Sequence, residues 1–199
     1  MAKRIVIGGS KSGVGKTTVA LALMAAYNAR DYKVQPFKVG PDYIDPGFHN
    51  LAAGTPSYNL DSYFLQGLAL RERFINKSKT GDISVIEGVM GLFDGKGKEM
   101  TGSTAEIAKK LKAPVILVID AAKMGQSGAA LVYGYKNFDP DLNLKGVIIN
   151  NVGSSRHYQI LKEVLESEPV KVDLLGYLPR IEDLELPERH LGLVPVQES

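Results

Sequence analysis

Residues 8–18 read Gly-Gly-Ser-Lys-Ser-Gly-Val-Gly-Lys-Thr-Thr, between the apolar run Ile5–Ile7 and a stretch of helix-forming composition, Lys16–Ala29. A strand that ends in glycines and passes directly into a helix has few ways to fold. The glycines let backbone N–H groups turn inward onto an anion. The helix N-terminus adds partial positive charge at the same point. Together these make a phosphate cradle, provided that a strand precedes the loop and a helix follows it. In that setting Ser12, Gly13, Val14, Gly15, Lys16, Thr17 and Thr18 surround the phosphates of ATP. Lys16 is the residue that reaches the β- and γ-phosphates, and the Thr17 hydroxyl binds Mg2+.

The rest of the chain repeats the strand–helix alternation. Strands are predicted at Lys33–Val39, Ile83–Ile86, Val115–Ile119, Val147–Ile149 and Asp173–Tyr177. Helices are predicted at Leu68–Lys79, from the Ser103-x-x-Glu106 capping box towards Lys112, through Ala129–Tyr135 and at Tyr158–Glu166. Val115–Ile119 is continuously apolar, as a strand covered on both faces should be. The expectation is an α/β domain of the P-loop NTPase type, with a mostly parallel sheet and helices on both faces. It spans 1–194 as one domain, with a tail at 195–199, and the chain from Pro187 onwards already has the look of a segment leaving the domain.

Composition narrows the partners. A net charge of +2 over 199 residues gives no reason to expect a nucleic-acid partner. The absence of cysteine excludes disulfides, thiolate metal sites and a cysteine nucleophile within these residues. No run approaches the ~18 apolar residues of a membrane span, and the N-terminus lacks a signal-peptide pattern. The expected location is cytoplasmic.

Acidic residues fall where the predicted strands end. Asp42 follows the second strand in Val39-Gly40-Pro41-Asp42-Tyr43-Ile44-Asp45-Pro46, and Glu87 ends the third in Glu87-Gly88-Val89-Met90-Gly91-Leu92-Phe93-Asp94-Gly95. Magnesium is a hard cation held by one or two carboxylates plus phosphate oxygens, so Thr17, Asp42 and Glu87 form the expected metal set. Asp42 also suits a turn, and Asp94 stands in a glycine-flanked loop where a turn role is equally open. Asp120 is either a second strand-end acid of the same kind or a simple strand terminator. His49, His157 and His190 lack the spacing of a zinc site, and His49 reads as a loop histidine, either a plain one or one that touches substrate.

The glycine loop departs from the common G-x-x-x-x-G-K-[ST] spacing, because position 10 is Ser10. This resembles the branch that includes dethiobiotin synthetase, the cobyrinate synthases and the partition and division-site ATPases. Together with Gly54-Thr55-Pro56-Ser57-Tyr58-Asn59-Leu60-Asp61, Leu178-Pro179-Arg180 and Leu186-Pro187-Glu188-Arg189-His190-Leu191-Gly192-Leu193, the acidic stretches resemble the cobyrinic acid a,c-diamide synthase family from about Lys3 to Val194. That resemblance implies an ATP-dependent amide synthetase, with Lys16, Asp42, Glu87 and Asp94 as catalytic residues. Asp94 would handle the substrate carboxylate or its phosphorylated form. By resemblance to dethiobiotin synthetase, Asn150 reads the adenine edge while Pro179 and Arg180 wall the base.

The implied substrate is a tetrapyrrole polycarboxylate, whether cobyrinate, hydrogenobyrinate or nickel-sirohydrochlorin. Ammonia would come from glutamine through a further amidotransferase domain, whose cysteine nucleophile these residues lack; they are expected to be the synthetase part alone. Pro41–Asp61 and Val89–Gly102 are expected to be lid loops, and Lys38, Lys96, Lys98 and Arg189 to be cations for the substrate. A competing reading is a dimeric ATPase switch of the partition type. In it Lys11 would reach a partner subunit's nucleotide across a homodimer; otherwise Lys11 is a solvated loop lysine.

Overall fold

The structure is a computed structural model and describes residues 3–122 and 124–180. Arg189, His190, the rest of the 186–193 stretch and the tail at 195–199 lie outside the described residues. The chain runs β1 (Lys3–Gly9), α1 (Lys16–Asn28), β2 (Val34–Val39), α2 (Asp45–Ala53), β3 (Tyr58–Leu60), α3 (Ala69–Ser78) and β4 (Ile83–Glu87). It continues α4 (Thr104–Lys110), β5 (Val115–Asp120), α5 (Ser127–Phe138), β6 (Leu144–Val152), α6 (Ser155–Glu166) and β7 (Leu174–Pro179).

The strands form one seven-stranded sheet in the order β3-β2-β4-β1-β5-β6-β7. Every pairing in it is parallel. All carboxyl ends therefore lie along one edge, with β1 at the centre between β4 and β5. The glycine loop, Glu87, Asp120 and Asn150 gather at that edge.

Strand alternation sends successive side chains to opposite faces. Val6, Phe37, Val39, Ile86, Leu117 and Ile119 point into the larger core, with Leu70 and Phe74 of α3, Ile107 of α4, Val132 of α5 and Leu161 of α6. Ile7, Val85 and Val118 point the other way, into a smaller core with Val19, Ala20 and Met24 of α1 and Ala53 of α2. By the same alternation Lys38 and Glu87 fall on the α1–α2 face, and the sheet register sets them side by side. Two polar side chains are thus carried into a buried layer by register alone.

One expectation is corrected here. Pro41–Asp61 reads as a lid loop, but most of it is α2 and β3, and α2 packs against α1 and β2. Pro46 stands at the start of α2 and Gly54 at its C-cap with φ 67°. That pairing is the usual signature of a short helix.

Candidate active site

The glycine loop meets two separate steric demands. Gly13 and Gly15 have φ of 74° and 93°, in the left-handed region where a side chain is strained. Gly9 is a close-approach position, where a Cβ would lie 2.7 Å from Val14 Cγ2 and 2.8 Å from Lys16 Cδ. Ser10 meets neither demand. Its N–H donates to the Val118 carbonyl at 3.0 Å, continuing the sheet, and its carbonyl accepts from the Tyr135 hydroxyl at 2.5 Å. The departure at position 10 follows from this, since glycine is needed one residue earlier, where the loop folds back over the strand.

The first turn of α1 carries no side-chain cap, because its N-cap is Gly15. Lys16 is buried, and its Nζ donates to the Lys11 carbonyl at 3.2 Å. Burial, and next the neighbouring Lys38 ammonium, hold the Lys16 ammonium below the ordinary lysine value. Ser12, Gly13 and Thr18 are exposed, as is the Lys11 side chain, while Val14 is buried.

Beside Lys16 lies a buried group of charges. Glu87 is fully buried and touches three partners. Its Oε1 accepts from Thr17 Oγ1 at 2.6 Å and from Lys38 Nζ at 3.1 Å, and its Oε2 faces His49 Nε2 at 2.6 Å. Lys38 also pairs with Asp45 Oδ2 at 2.7 Å and donates to the Gly88 carbonyl at 3.0 Å. Burial opposes the charge on Glu87, yet the His49 hydrogen bond and Lys38 hold its carboxyl below the usual range. Burial likewise opposes charge on Lys38, and Glu87 with Asp45 overcomes it, raising the ammonium above its ordinary value.

Two sequence expectations change here. Lys38 is placed as a buried counter-ion of Glu87 and Asp45, because its strand register faces the α1–α2 layer, where both carboxylates lie. His49 lies on α2, fully buried, and not in a loop.

Asp42 stands apart from this group: its Oδ1 accepts the N–H groups of Ile44 and Asp45 at 2.8 and 3.0 Å, which starts the turn into α2. The acid that reaches the buried layer from this stretch is Asp45. A helical reading would have shown it, since Asp45 and His49 are four residues apart and share one helix face. Asp94 is exposed, and its Oδ2 accepts from the Gly91 N–H at 2.8 Å. It acts electrostatically on both Lys16 and Tyr135. Lys96 and Lys98 are exposed in the same loop.

On the far side of the loop, Asn150 Nδ2 donates to the Val14 carbonyl at 3.1 Å, tying β6 to the glycine loop. Asp120 Oδ1 accepts from the Ala122 N–H at 2.9 Å and from Asn151 Nδ2 at 3.1 Å. Pro179 and Arg180 are exposed at the end of β7.

Gly88 follows Glu87 where space is short. A Cβ there would lie 2.6 Å from Thr104 Oγ1 and 2.8 Å from the Ile7 carbonyl. Thr104 Oγ1 is itself fixed between the Val89 N–H and carbonyl, at 2.9 and 3.1 Å. Gly88→Ala is therefore expected to cost about 1–3 kcal/mol, the usual range for overpacking. Chemical denaturation measures this, and an unchanged midpoint would contradict the geometry.

A parallel sheet with a glycine loop between its central strand and the first helix, and a threonine–glutamate pair beside the signature lysine, defines a P-loop nucleotide-binding domain. The chain belongs to the CobQ/CobB/MinD/ParA nucleotide binding domain family, whose model matches residues 5–194. It is 47% identical over 199 residues to a cobyrinate a,c-diamide synthase of Caldanaerobacter subterraneus subsp. tengcongensis, covering 100% of this chain and 44% of that protein. It is 50% identical over 196 residues to a hydrogenobyrinate a,c-diamide synthase of Streptomyces coelicolor, covering 98% of this chain and 40% of that protein. The chain thus spans less than half the length of these curated relatives. Among solved structures, chloroplast FtsY from Physcomitrella patens matches with a TM-score of 0.59 at 15% identity, over 87% of this chain and 57% of that one. At that identity the likeness concerns the fold alone. Among the described residues, no helix is long and apolar enough to cross a membrane.

Proposed function

We propose that this domain uses ATP to activate side-chain carboxylates of a tetrapyrrole for amidation, as in cobyrinate a,c-diamide synthesis. The observation that carries the reading is the buried Lys38–Glu87–Asp45–His49 group directly beside Lys16 and Thr17. A carboxylate resists ammonia because it is anionic and oxide is a poor leaving group. In the proposed route a substrate carboxylate oxygen attacks the ATP γ-phosphorus, ADP leaves, and an acyl phosphate forms. Ammonia then attacks the acyl carbon, inorganic phosphate departs, and the nitrogen loses a proton to give the amide.

Each residue has a part in this reading. The glycine loop and Lys16 hold the phosphates and stabilise charge during transfer. Asp94, near Lys16 and at the mouth of the exposed loop, handles the substrate carboxylate or its phosphorylated form. Asn150, Pro179 and Arg180 receive the adenine. Val89–Gly102 closes over the acyl phosphate and keeps water from it.

Thr17 and Glu87 fit magnesium, since two hard oxygens 2.6 Å apart beside the phosphate cradle suit an ion that draws its other ligands from phosphate and water. When bound, magnesium neutralises phosphate charge. Glu87→Gln is expected to raise the magnesium needed for half-maximal nucleotide use by at least the roughly tenfold that loss of a supporting carboxylate contact brings. Asp42→Asn should act in the same direction but more weakly, because the Asp42 carboxylate already serves two backbone N–H groups. Normal metal dependence in both variants would remove them from the metal set.

The amidotransferase that releases ammonia from glutamine, and a cytoplasmic setting, belong to the same reading. The substrate assay uses cobyrinate, hydrogenobyrinate and nickel-sirohydrochlorin in turn, each with ATP, magnesium and ammonia. ADP formed in proportion to amide on one of them supports the proposal. ATP hydrolysis that is independent of any tetrapyrrole would favour the dimeric switch instead, with Lys11 at a homodimer interface.

A further inference from the structure

We infer that His49 is a positioning residue that orients the Glu87 carboxylate so that one oxygen stays available to Thr17 and the nucleotide-bound metal. The inference rests on the reading that Thr17 and Glu87 hold that metal. The geometry carries it: His49 is fully buried on α2, with Nε2 2.6 Å from Glu87 Oε2 and Nδ1 3.1 Å from Ser57 Oγ. A carboxylate oxygen only accepts, so Nε2 is the end of the ring that donates to Oε2. The Ser57 hydroxyl can then donate to Nδ1. The ring is thereby gripped at both nitrogens, from α2 through to the residue just before β3.

The consequence concerns the two oxygens of one carboxylate. A carboxylate rotates about its last bond, so its plane must be fixed for an oxygen to face the nucleotide. With Oε2 committed to His49, Oε1 is the oxygen presented to Thr17 Oγ1 at 2.6 Å. Lys38 bonds the same oxygen, Oε1, and so does not by itself fix the plane. His49, on the other oxygen, fixes that plane, and the helix that supplies His49 also supplies Asp45, the other partner of Lys38. An outer partner of this kind typically changes metal affinity by about 10–100-fold.

Amide side chains separate the two ends of the imidazole. In glutamine the terminal nitrogen stands as many bonds from Cα as Nε2 does in histidine, so His49→Gln retains a donor towards Glu87. In asparagine the amide ends where Nδ1 does, so His49→Asn serves Ser57 but falls short of Oε2. Asparagine is one methylene smaller than glutamine, so packing loss is read separately, from the fold and the metal-free ADP affinity of each variant.

The measurement is Mn2+ binding by electron paramagnetic resonance in the presence of saturating ADP, on wild type, His49→Gln, His49→Asn and Glu87→Gln. ADP affinity without metal and circular dichroism are recorded for each protein. His49→Asn should bind Mn2+ about tenfold or more weakly than wild type, with metal-free ADP affinity unchanged and His49→Gln close to wild type. Equal Mn2+ affinity in the asparagine and glutamine variants would overturn the inference. If Glu87→Gln itself leaves Mn2+ binding unchanged, it is the metal reading that fails. Should His49→Asn not fold, Ser57→Ala carries the test, because it frees one end of the ring without touching Glu87. Weaker Mn2+ binding in Ser57→Ala supports the role of His49, and unaltered binding rejects it.

Discussion

Lys16→Ala is expected to lower amide formation about 10³-fold, the loss typical of removing a major charge-stabilising contact. The folded domain should survive the change. The Lys16 ammonium makes one hydrogen bond, to the Lys11 carbonyl, and the helix it opens needs no side chain at that point beyond Cβ. Lys38 cannot take over, because its ammonium is held by Asp45, Glu87 and the Gly88 carbonyl. Amide per unit time under saturating ATP and ammonia gives the rate, and circular dichroism checks the fold. A variant that is folded and nearly as fast as wild type would remove the glycine loop from the catalytic account.

The second large effect concerns nitrogen. These 199 residues, purified alone, should form amide from free ammonia and none from glutamine. Glutamine hydrolysis by the related amidotransferases needs a thiolate nucleophile activated by a neighbouring base, and the sequence contains no cysteine. Phosphoryl transfer asks only for a bound substrate carboxylate and for the phosphate cradle and acids, which fall in the described part of the chain. Ammonia should serve better as pH rises, because more of it is unprotonated. Some ADP without amide is expected as well, where water intercepts the acyl phosphate. Glutamine-driven amide from the purified chain would overturn this assignment.

The alternation of apolar runs and helical stretches was enough to find six of the seven strands, all but the short β3. A glycine loop between strand and helix has one structural context, so β1, α1 and the phosphate cradle follow from spacing. Glu87 was legible for the same reason, as an acid ending an apolar strand. The buried layer beneath it was harder to see. Lys38 reads as a cation for the substrate, since lysines are seldom buried, and only the β2–β4 register sets it against Glu87. His49 and Asp45 belong to a helix of nine residues, short enough for its periodicity to be lost among prolines and glycines. Its Pro46 and Gly54 were the available signal. Asp42 is the opposite case: its strand-end position suggested a ligand, and the structure turns its carboxylate onto its own backbone.

The Lys38 neighbourhood has a consequence for how substitutions there should be interpreted. Two ammonium groups, Lys16 and Lys38, face two carboxylates, Asp45 and Glu87, in a region with little access to water. Their formal charges cancel. Neutralising Lys38, Asp45 or Glu87, which bond one another, strands an uncompensated ion in a low-dielectric interior, a penalty of several kcal/mol before any functional role is counted; Lys16, whose ammonium bonds a backbone carbonyl, stands outside that set. A single-residue scan across Lys38, Asp45 and Glu87 would therefore report much the same severe loss at each, whatever that residue does in turnover. Apportioning their roles takes double-mutant cycles, such as Lys38→Met combined with Asp45→Leu, in which opposite charges leave together and the residual coupling is read from the difference.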